Sequence, residues 1–183
     1  MVKTRIAKTH GDECALDIYE KLLNHTRIVC QQVDCERYLF YAGEIDRDDS
    51  WDNKLFNKFL QQGNDLGQRM QDAFETVIRK TSPVLIIGSD CAALTAEDIE
   101  RAFIELEEND VVIGPAEDGG YYLLGMNDLQ LFLFQDMPWS QDNLIEETIF
   151  RIQDRGLRYS LLSTKSDIDY YEDWEKQKHL IQS

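Results

Sequence analysis

The sequence predicts an α/β fold: one doubly wound, mostly parallel sheet with helices on both faces. Three observations carry that expectation. Short apolar runs alternate along the chain with longer segments of helical periodicity. The runs "PVLIIG" and "NDVVIGPA" are apolar at consecutive positions, the pattern of strands buried on both faces. No repeat and no Pro/Gly-rich linker divides the 183 residues, so residues 1–183 read as a single domain.

The elements follow in order. From Asp12 to about Val33, apolar residues recur at intervals of three and four, which marks a long amphipathic helix. "RYLFYAG" (37–43) is aromatic-rich and stops at glycine, as a strand does. The acidic stretch "EIDRDDSWDN" reads as a solvated surface turn. A helix is expected over Leu66–Lys80, then strand "PVLIIG", then a helix from Thr95. Thr95 serves as N-cap with Asp98 three residues on, in the manner of a capping box. "NDVVIGPA" and "GGYYLLGM" read as strands. "SQDNLIEETIFRIQDRG" reads as a helix with Ser140 as cap and Gly156 just past its end. "LRYSLL" is a late strand and "YYEDWEKQKHLIQ" a closing helix.

Composition narrows the function. Hydrophobic residues make up 43%, which excludes a disordered chain. Nineteen Lys and Arg against 35 Asp and Glu give a net charge of −16, a field that repels nucleic acid and anionic membrane. A small anionic ligand needs a divalent cation or a basic cluster to screen it. No signal peptide or membrane span is evident, and Cys14, Cys30, Cys35 and Cys91 form neither CxxC nor zinc spacing. They read as reduced thiols of a cytoplasmic protein. His10, His25 and His179 lack a partner motif and read as surface residues.

Candidate site residues gather where apolar strands stop. In an open parallel sheet, ligands bind outside the carboxyl ends of the strands. Gly88, Ser89 and Asp90 stand there after "PVLII". Asp90 either offers a hard oxygen to Mg²⁺ or Mn²⁺ or caps a turn through its side chain. Asp118-Gly119-Gly120, followed by Tyr121, suits a tight hairpin turn and also falls at that edge, where bare backbone admits a ligand. Asp167 and Asp169 have the period-two spacing that points side chains one way in an extended segment. The alternative for both is charge at the start of the last helix. The cations available to phosphate are Lys3, Arg5 and Arg69, the last in a turn flanked by Gly63 and Gly67 that matches no phosphate-loop pattern.

"VKTRIA", "QQGNDLGQRM", "LIIGSDCAALTAEDIERAF", "VVIGPAEDGGYYLLGM" and "DIDYYEDW", in that order, resemble a bacterial family of uncharacterised, glycosyltransferase-like proteins described as nucleotide-diphospho-sugar transferases with a GT-A-like fold. The family is similar, more distantly, to phospholactate and molybdenum-cofactor guanylyltransferases. The resemblance covers almost the whole chain. It implies a nucleotide held at the carboxyl edge, with Asp90 in place of the metal-binding "DxD" aspartate, of which only one acid is present here. It implies Lys3 and Arg5 on the phosphates, the Asp118 loop on the sugar or acceptor side, and Asp167 or Asp169 completing the metal shell.

Two departures stand out. Members of the family have a hydrophobic strand and a glycine-containing loop before "KTR", which the given sequence does not include. Folded as given, strands 37–42 and 84–87 become neighbours or leave a gap, and a gap needs a substitute strand, for instance from another subunit of a homo-oligomer. The family also has proline where "CAAL" has alanine, which loosens the loop beside Asp90. The expectation is therefore a metal-dependent transferase using a nucleotide-activated donor, glycosyl transfer first, with the acceptor unspecified. The alternatives are nucleotidyl transfer releasing pyrophosphate and a degenerate, non-catalytic nucleotide-binding domain.

Overall fold

A computed structural model of the chain describes residues 2–182. The elements are α1 (Thr4–His10), α2 (Asp12–Gln32), β1 (Tyr38–Tyr41), β2 (Asn57–Leu60), α3 (Leu66–Ile78), β3 (Val84–Ile87) and α4 (Ala96–Glu105). They continue with β4 (Val111–Pro115), β5 (Tyr121–Met126), α5 (Leu144–Asp154), β6 (Tyr159–Leu161) and α6 (Tyr171–Gln177).

Local chemistry sets the boundaries. The capping box is formed: Asp98 N–H donates to Thr95 Oγ1 at 3.3 Å, and Thr95 N–H donates to the Asp98 carboxylate at 2.8 Å. Ser140 is not a cap. It sits in the preceding turn at φ 60°, and α5 begins after Asn143. Two elements lie outside the sequence expectation. α1 is seven residues long and buries only Ile6, too little for a periodic signal. β2, "NKFL", carries a lysine and an asparagine in its four residues.

The strands form two sheets, β1-β2 and β3-β5-β4-β6. The larger is mixed where a mostly parallel sheet was expected. β4 turns directly into β5 through Asp118–Gly120, and so short a connection forces β5 back antiparallel. β5 therefore runs antiparallel between β3 and β4, while β4 pairs with β6 and β1 with β2 in parallel. β1 and β3 are not hydrogen-bonded to each other: of the two outcomes foreseen for these strands, the structure has the gap. A cavity of about 1070 Å³ occupies it, walled by Met70 and Val77 of α3 and by Leu23 and Cys30 of α2.

Helices cover both faces, as expected. Phe74, Val77 and Ile152 of α3 and α5 pack with Ile113 and Leu124 on one side. Val29, Ile99 and Ala102 of α2 and α4 pack with Val112 and Leu123 on the other. A third cluster joins Ile6 to Ile18, Leu22, Ile168 and Trp174, so α1 is anchored on α2 and α6.

One surface reading needs correction. His25 is buried, at 1% exposure. Its Nδ1 accepts from Gln182 N–H at 3.1 Å, which leaves Nε2–H to donate to the Leu94 carbonyl at 3.0 Å. Burial holds its pKa below the usual histidine value despite the Leu94 bond, so the ring is neutral. The acidic stretch 44–53 is mostly solvated, as expected, but Asp49 and Trp51 turn inward from it. Trp51 is buried edge-on against Phe56, their centroids 4.9 Å apart. Asp49 Oδ1 meets Lys58 Nζ at 2.7 Å, and its other oxygen accepts from the Tyr41 hydroxyl.

Lys58 and Asp49 side chains are 5% and 18% exposed, so removing one strands the other. Asp49→Ala is expected to destabilise the fold by about 3–5 kcal/mol, as for a broken buried ion pair. Asp48→Ala, on the exposed side of the loop, is expected to be neutral. Denaturant melts of the two variants check this, and equal effects would contradict it.

Candidate active site at the rim of the sheet

β3 ends at Ile87, and Gly88 is still tied to β5 through its N–H to the Tyr122 carbonyl at 2.9 Å. The chain then turns, and Asp90 rests over Gly88, where a Cβ would stand 3.0 Å from Asp90 Oδ1. Glycine thus lets the carboxylate lie on backbone. The Asp90 carbonyl accepts from Ile168 N–H at 3.0 Å, which fastens the segment 167–169 to the same rim.

Lys3 and Arg5 lie among these acids. Lys3 Nζ donates to the Ile168 carbonyl at 2.7 Å and lies 3.4 Å from Asp90 Oδ2. The lysine side chain is 9% exposed and the aspartate 45%, so the cation sits beneath the carboxylate. Arg5 pairs with Asp169 through Nη1 and lies over the Tyr170 ring at 5.4 Å. Both residues expected on phosphates are thus paired with carboxylates. Asp167 and Asp169, expected to point together, have different surroundings: Asp169 is paired, whereas Asp167 Oδ1 is buried without a hydrogen-bond partner.

Asp167 therefore carries the electrostatic strain. Burial, then the charges of Asp90 and Asp118, push its pKa up to about 7; Lys3 acts against them, and Asp169 adds to them. Asp118 also does what a turn residue does: its Oδ1 accepts from Gly120 N–H at 2.9 Å. Gly119 adopts φ 86°, and a Cβ there would lie 1.8 Å from the Asp142 carbonyl oxygen. The turn thus admits only glycine at that position.

Gly88, Ser89, Gly120 and Tyr121 line the cavity beside Asp90, Asp118 and Asp167. The Tyr121 hydroxyl is buried without a partner, and burial raises its pKa. Arg69 lines the same cavity and is held by the Gly63 carbonyl at 3.2 Å and Gln61 Oε1 at 3.4 Å. Cys91 is a core thiol whose pKa is pushed up to about 12 by burial and by Asp167. Tyr41, Trp51 and Trp139, which sequence reasoning passed over, also line the cavity. Only Tyr41, two residues before Gly43 at the end of an aromatic run, carried a signal in the sequence.

Among the described residues, no three His, Cys, Asp or Glu side chains converge as a ready-made ion site. A Mg²⁺ site that shares substrate phosphates needs only one or two carboxylates, however. Asp90 and the unpartnered oxygen of Asp167 meet that requirement; Asp169, paired with Arg5, is the less available donor.

The layered sheet and its acidic rim define the class of the fold, that of nucleotide-diphospho-sugar transferases. A protein of Desulfovibrio desulfuricans G20 provisionally described as a nucleotide-diphospho-sugar transferase superposes with a TM-score of 0.84 and 26% identity, over 92% of this chain and 76% of that one. The chain belongs to the bacterial family described as "Uncharacterized protein conserved in bacteria (DUF2064)", which matches residues 26–141. More distant likenesses show the fold alone. CMP:2-keto-3-deoxy-manno-octonic acid synthetase complexed with CTP matches at TM-score 0.58 and 11% identity, over 87% of this chain and 86% of that one. A protein from Mycobacterium sp. strain JC1 matches at 0.53 and 12%, over 87% and 82%. No protein of curated function matches the sequence. Among the described residues, no helix is long and apolar enough to cross a membrane.

The raised pKa of Asp167 fixes the sign of a pH effect. The folded state holds this proton to about pH 7, while the unfolded chain releases it near 3.8, the ordinary value of an aspartate. The contribution of Asp167 is thus favourable at acid pH and is lost as pH rises through 7. In EDTA, Asp167→Asn is expected to gain stability relative to the parent, by about 3 kcal/mol at most, between pH 5 and 7.5 and to level off above. Thermal melts across that range read it; a difference independent of pH would contradict it.

Proposed function

We propose that the protein is a metal-dependent transferase that uses a nucleotide-activated donor, with glycosyl transfer from a nucleotide-diphospho-sugar as its reaction. The observation that carries the reading is the rim itself. Asp90, Asp118 and Asp167 crowd the carboxyl end of β3, and one oxygen of Asp167 is buried and unpartnered. Asp90 and Asp167 would hold Mg²⁺ or Mn²⁺, which when bound supplies a Lewis acid for the phosphates of the leaving group.

The chain's own residues do the rest in this reading. Asp167 would hold the cation in its deprotonated form, since metal ligands bind deprotonated. Lys3 and Arg5 stand beside the carboxylates and would be placed to meet the diphosphate and stabilise charge on the departing oxygen. Arg69 approaches the donor from the other wall of the cavity. Gly88, Ser89 and Gly120 line the cavity and allow close approach to backbone, whereas Gly119 packs on Asp142 and serves the turn. Tyr121 offers a buried hydroxyl to the sugar. Asp118 uses one oxygen in its own turn, and the second takes the proton of the acceptor hydroxyl. The ion also offsets the net charge of −16, which otherwise opposes an anionic donor.

Nucleotidyl transfer is the second reading, favoured by the fold shared with the CTP-bound synthetase along most of both chains. Products separate the two: a nucleoside diphosphate for the first, pyrophosphate for the second. With a panel of nucleotide sugars and nucleoside triphosphates and Mn²⁺, one donor is expected to raise the melting temperature by on the order of 5 °C at saturation. Asp90→Asn is expected to abolish the metal-dependent part of that shift. An unchanged response in the variant would remove Asp90 from the site. The absence of any shift with every nucleotide and metal would favour a degenerate domain that keeps the fold without the chemistry.

A further inference from the structure

Lys165 stands where the backbone segments that carry the rim carboxylates meet. It lies two residues before Asp167, on the stretch that leaves β6. Its N–H donates to the Pro115 carbonyl at 3.0 Å, and its carbonyl accepts from Glu117 N–H at 2.9 Å. The peptide is thereby paired with the end of β4, just before the Asp118 turn. Its Nζ donates to the Ala93 carbonyl at 3.0 Å, in the loop that follows Asp90. The same Nζ lies 3.0 Å from Asp98 Oδ2, the oxygen that accepts from Thr95 N–H. One residue thus touches the strand end leading to Asp118 and the loop leading from Asp90, and itself belongs to the segment of Asp167.

These contacts are mostly buried. The Lys165 and Asp98 side chains are 15% and 17% exposed, and Ala92 and Leu94, on either side of the accepting carbonyl, are buried. Such a pair is a poor source of stability, because desolvation of both ions offsets their attraction. Asp98 does not need it as a cap, since Thr95 already completes the box. The Tyr122 hydroxyl bonds the Ser163 carbonyl at 3.1 Å, so the segment is fastened to β5 without the lysine. The charge of Lys165 is taken up by Asp98, whereas Lys3 and Arg5 face the rim acids.

What the lysine adds is position. An ammonium carries three donors, and here it ties the loop after Asp90 to the segment before Asp167. That tie works beside the bond from Ile168 N–H to the Asp90 carbonyl. Asp90 and Asp167 repel each other when both are charged, and the Ala93 contact resists the spreading of their two segments.

We propose that Lys165 is a positioning residue: it sets the separation of Asp90 and Asp167, and through that separation the affinity of the rim for a divalent cation. It touches neither ligand nor ion. The cation half rests on the reading of the rim given under the proposed function; the clamp itself does not.

Lys165→Met keeps the length of the side chain and removes its donors, and Lys165→Arg keeps both charge and donors. Hydrogen exchange is read without metal at the Ile168 amide, with Leu124 in the middle of the sheet as the internal reference. Mn²⁺ affinity is read by electron paramagnetic resonance without nucleotide. Lys165→Met is expected to speed exchange at Ile168 by about tenfold while Leu124 is unchanged, and to weaken Mn²⁺ binding by about tenfold. Lys165→Arg is expected to restore both. Lys165→Gln, with the same expectations as the methionine variant, replaces it if that variant does not fold. Equal acceleration at Leu124 would mean that Lys165 serves only the stability of the fold, and would overturn the proposal. Unchanged exchange at Ile168, or an unchanged Mn²⁺ affinity with Ile168 opened, would overturn it as well. A parent protein that takes up no Mn²⁺ would sink the transferase reading and the cation half with it, while exchange at Ile168 would still decide the clamp.

Discussion

The crowding of carboxylates at the end of β3 is the constraint on which the rest of the site depends. Asp90, Asp118, Asp167 and Asp169 are drawn together by the strand ending, the hairpin turn and the Ile168–Asp90 backbone bond. Two like charges a few ångströms apart near a protein surface repel by a few kcal/mol, so the arrangement persists only with compensation. Three compensations are visible: Lys3 beneath Asp90, Arg5 on Asp169, and the proton that Asp167 retains. The first two explain α1. A seven-residue helix is marginal by itself, but Ile6 anchors it in the core cluster with Ile18 and Leu22 while Lys3 and Arg5 meet the acids. The packing of one isoleucine thus delivers two cations to the rim.

That compensation is incomplete in an informative way. Lys3 and Arg5 neutralise the acids whose oxygens are accessible, and leave the buried one on Asp167 without a partner. A purely structural acidic cluster has no use for such an oxygen, since an isosteric amide or apolar side chain would remove the cost. A carboxyl kept near neutrality by its surroundings is instead one whose charge state changes when a cation comes close. The same argument separates Asp118 from the others, because its turn bond to Gly120 already accounts for one oxygen structurally.

Much of this was legible in the sequence, for physical reasons that differ by element. "PVLIIG" and "NDVVIGPA" declared buried strands because nothing polar interrupts them, and Thr95 with Asp98 declared a helix start because both halves of the capping box are present. Asp90 and the Asp118 turn could be placed at one edge because both follow such strands. What escaped notice is tertiary in origin. His25 falls on the buried face of α2 between Leu22 and Val29, and its partners, Leu94 and Gln182, lie far along the chain. Asp49 looked solvated among acids; its burial is set by Lys58 and Tyr41, on strands that the loop folds back over. The hairpin turn read at Asp118–Gly120 is there; what the expectation of a mostly parallel sheet missed is that so short a connection, residues 116–120, leaves no room for a crossover and makes β5 antiparallel.

The gap and the rim are mechanically one problem. Asp90 hangs from the end of β3, and β3 is fastened along only one edge, to β5. Its other edge, and that of β1, look into a cavity whose walls include Arg69 and Tyr121. The geometry between the arginine wall and the carboxylate wall therefore has no backbone tie across it. Precise placement of charged groups depends on rigid supporting elements. The order of the sheet layer beneath the rim consequently governs how well its acids and bases can act on a single ligand, whatever that ligand is.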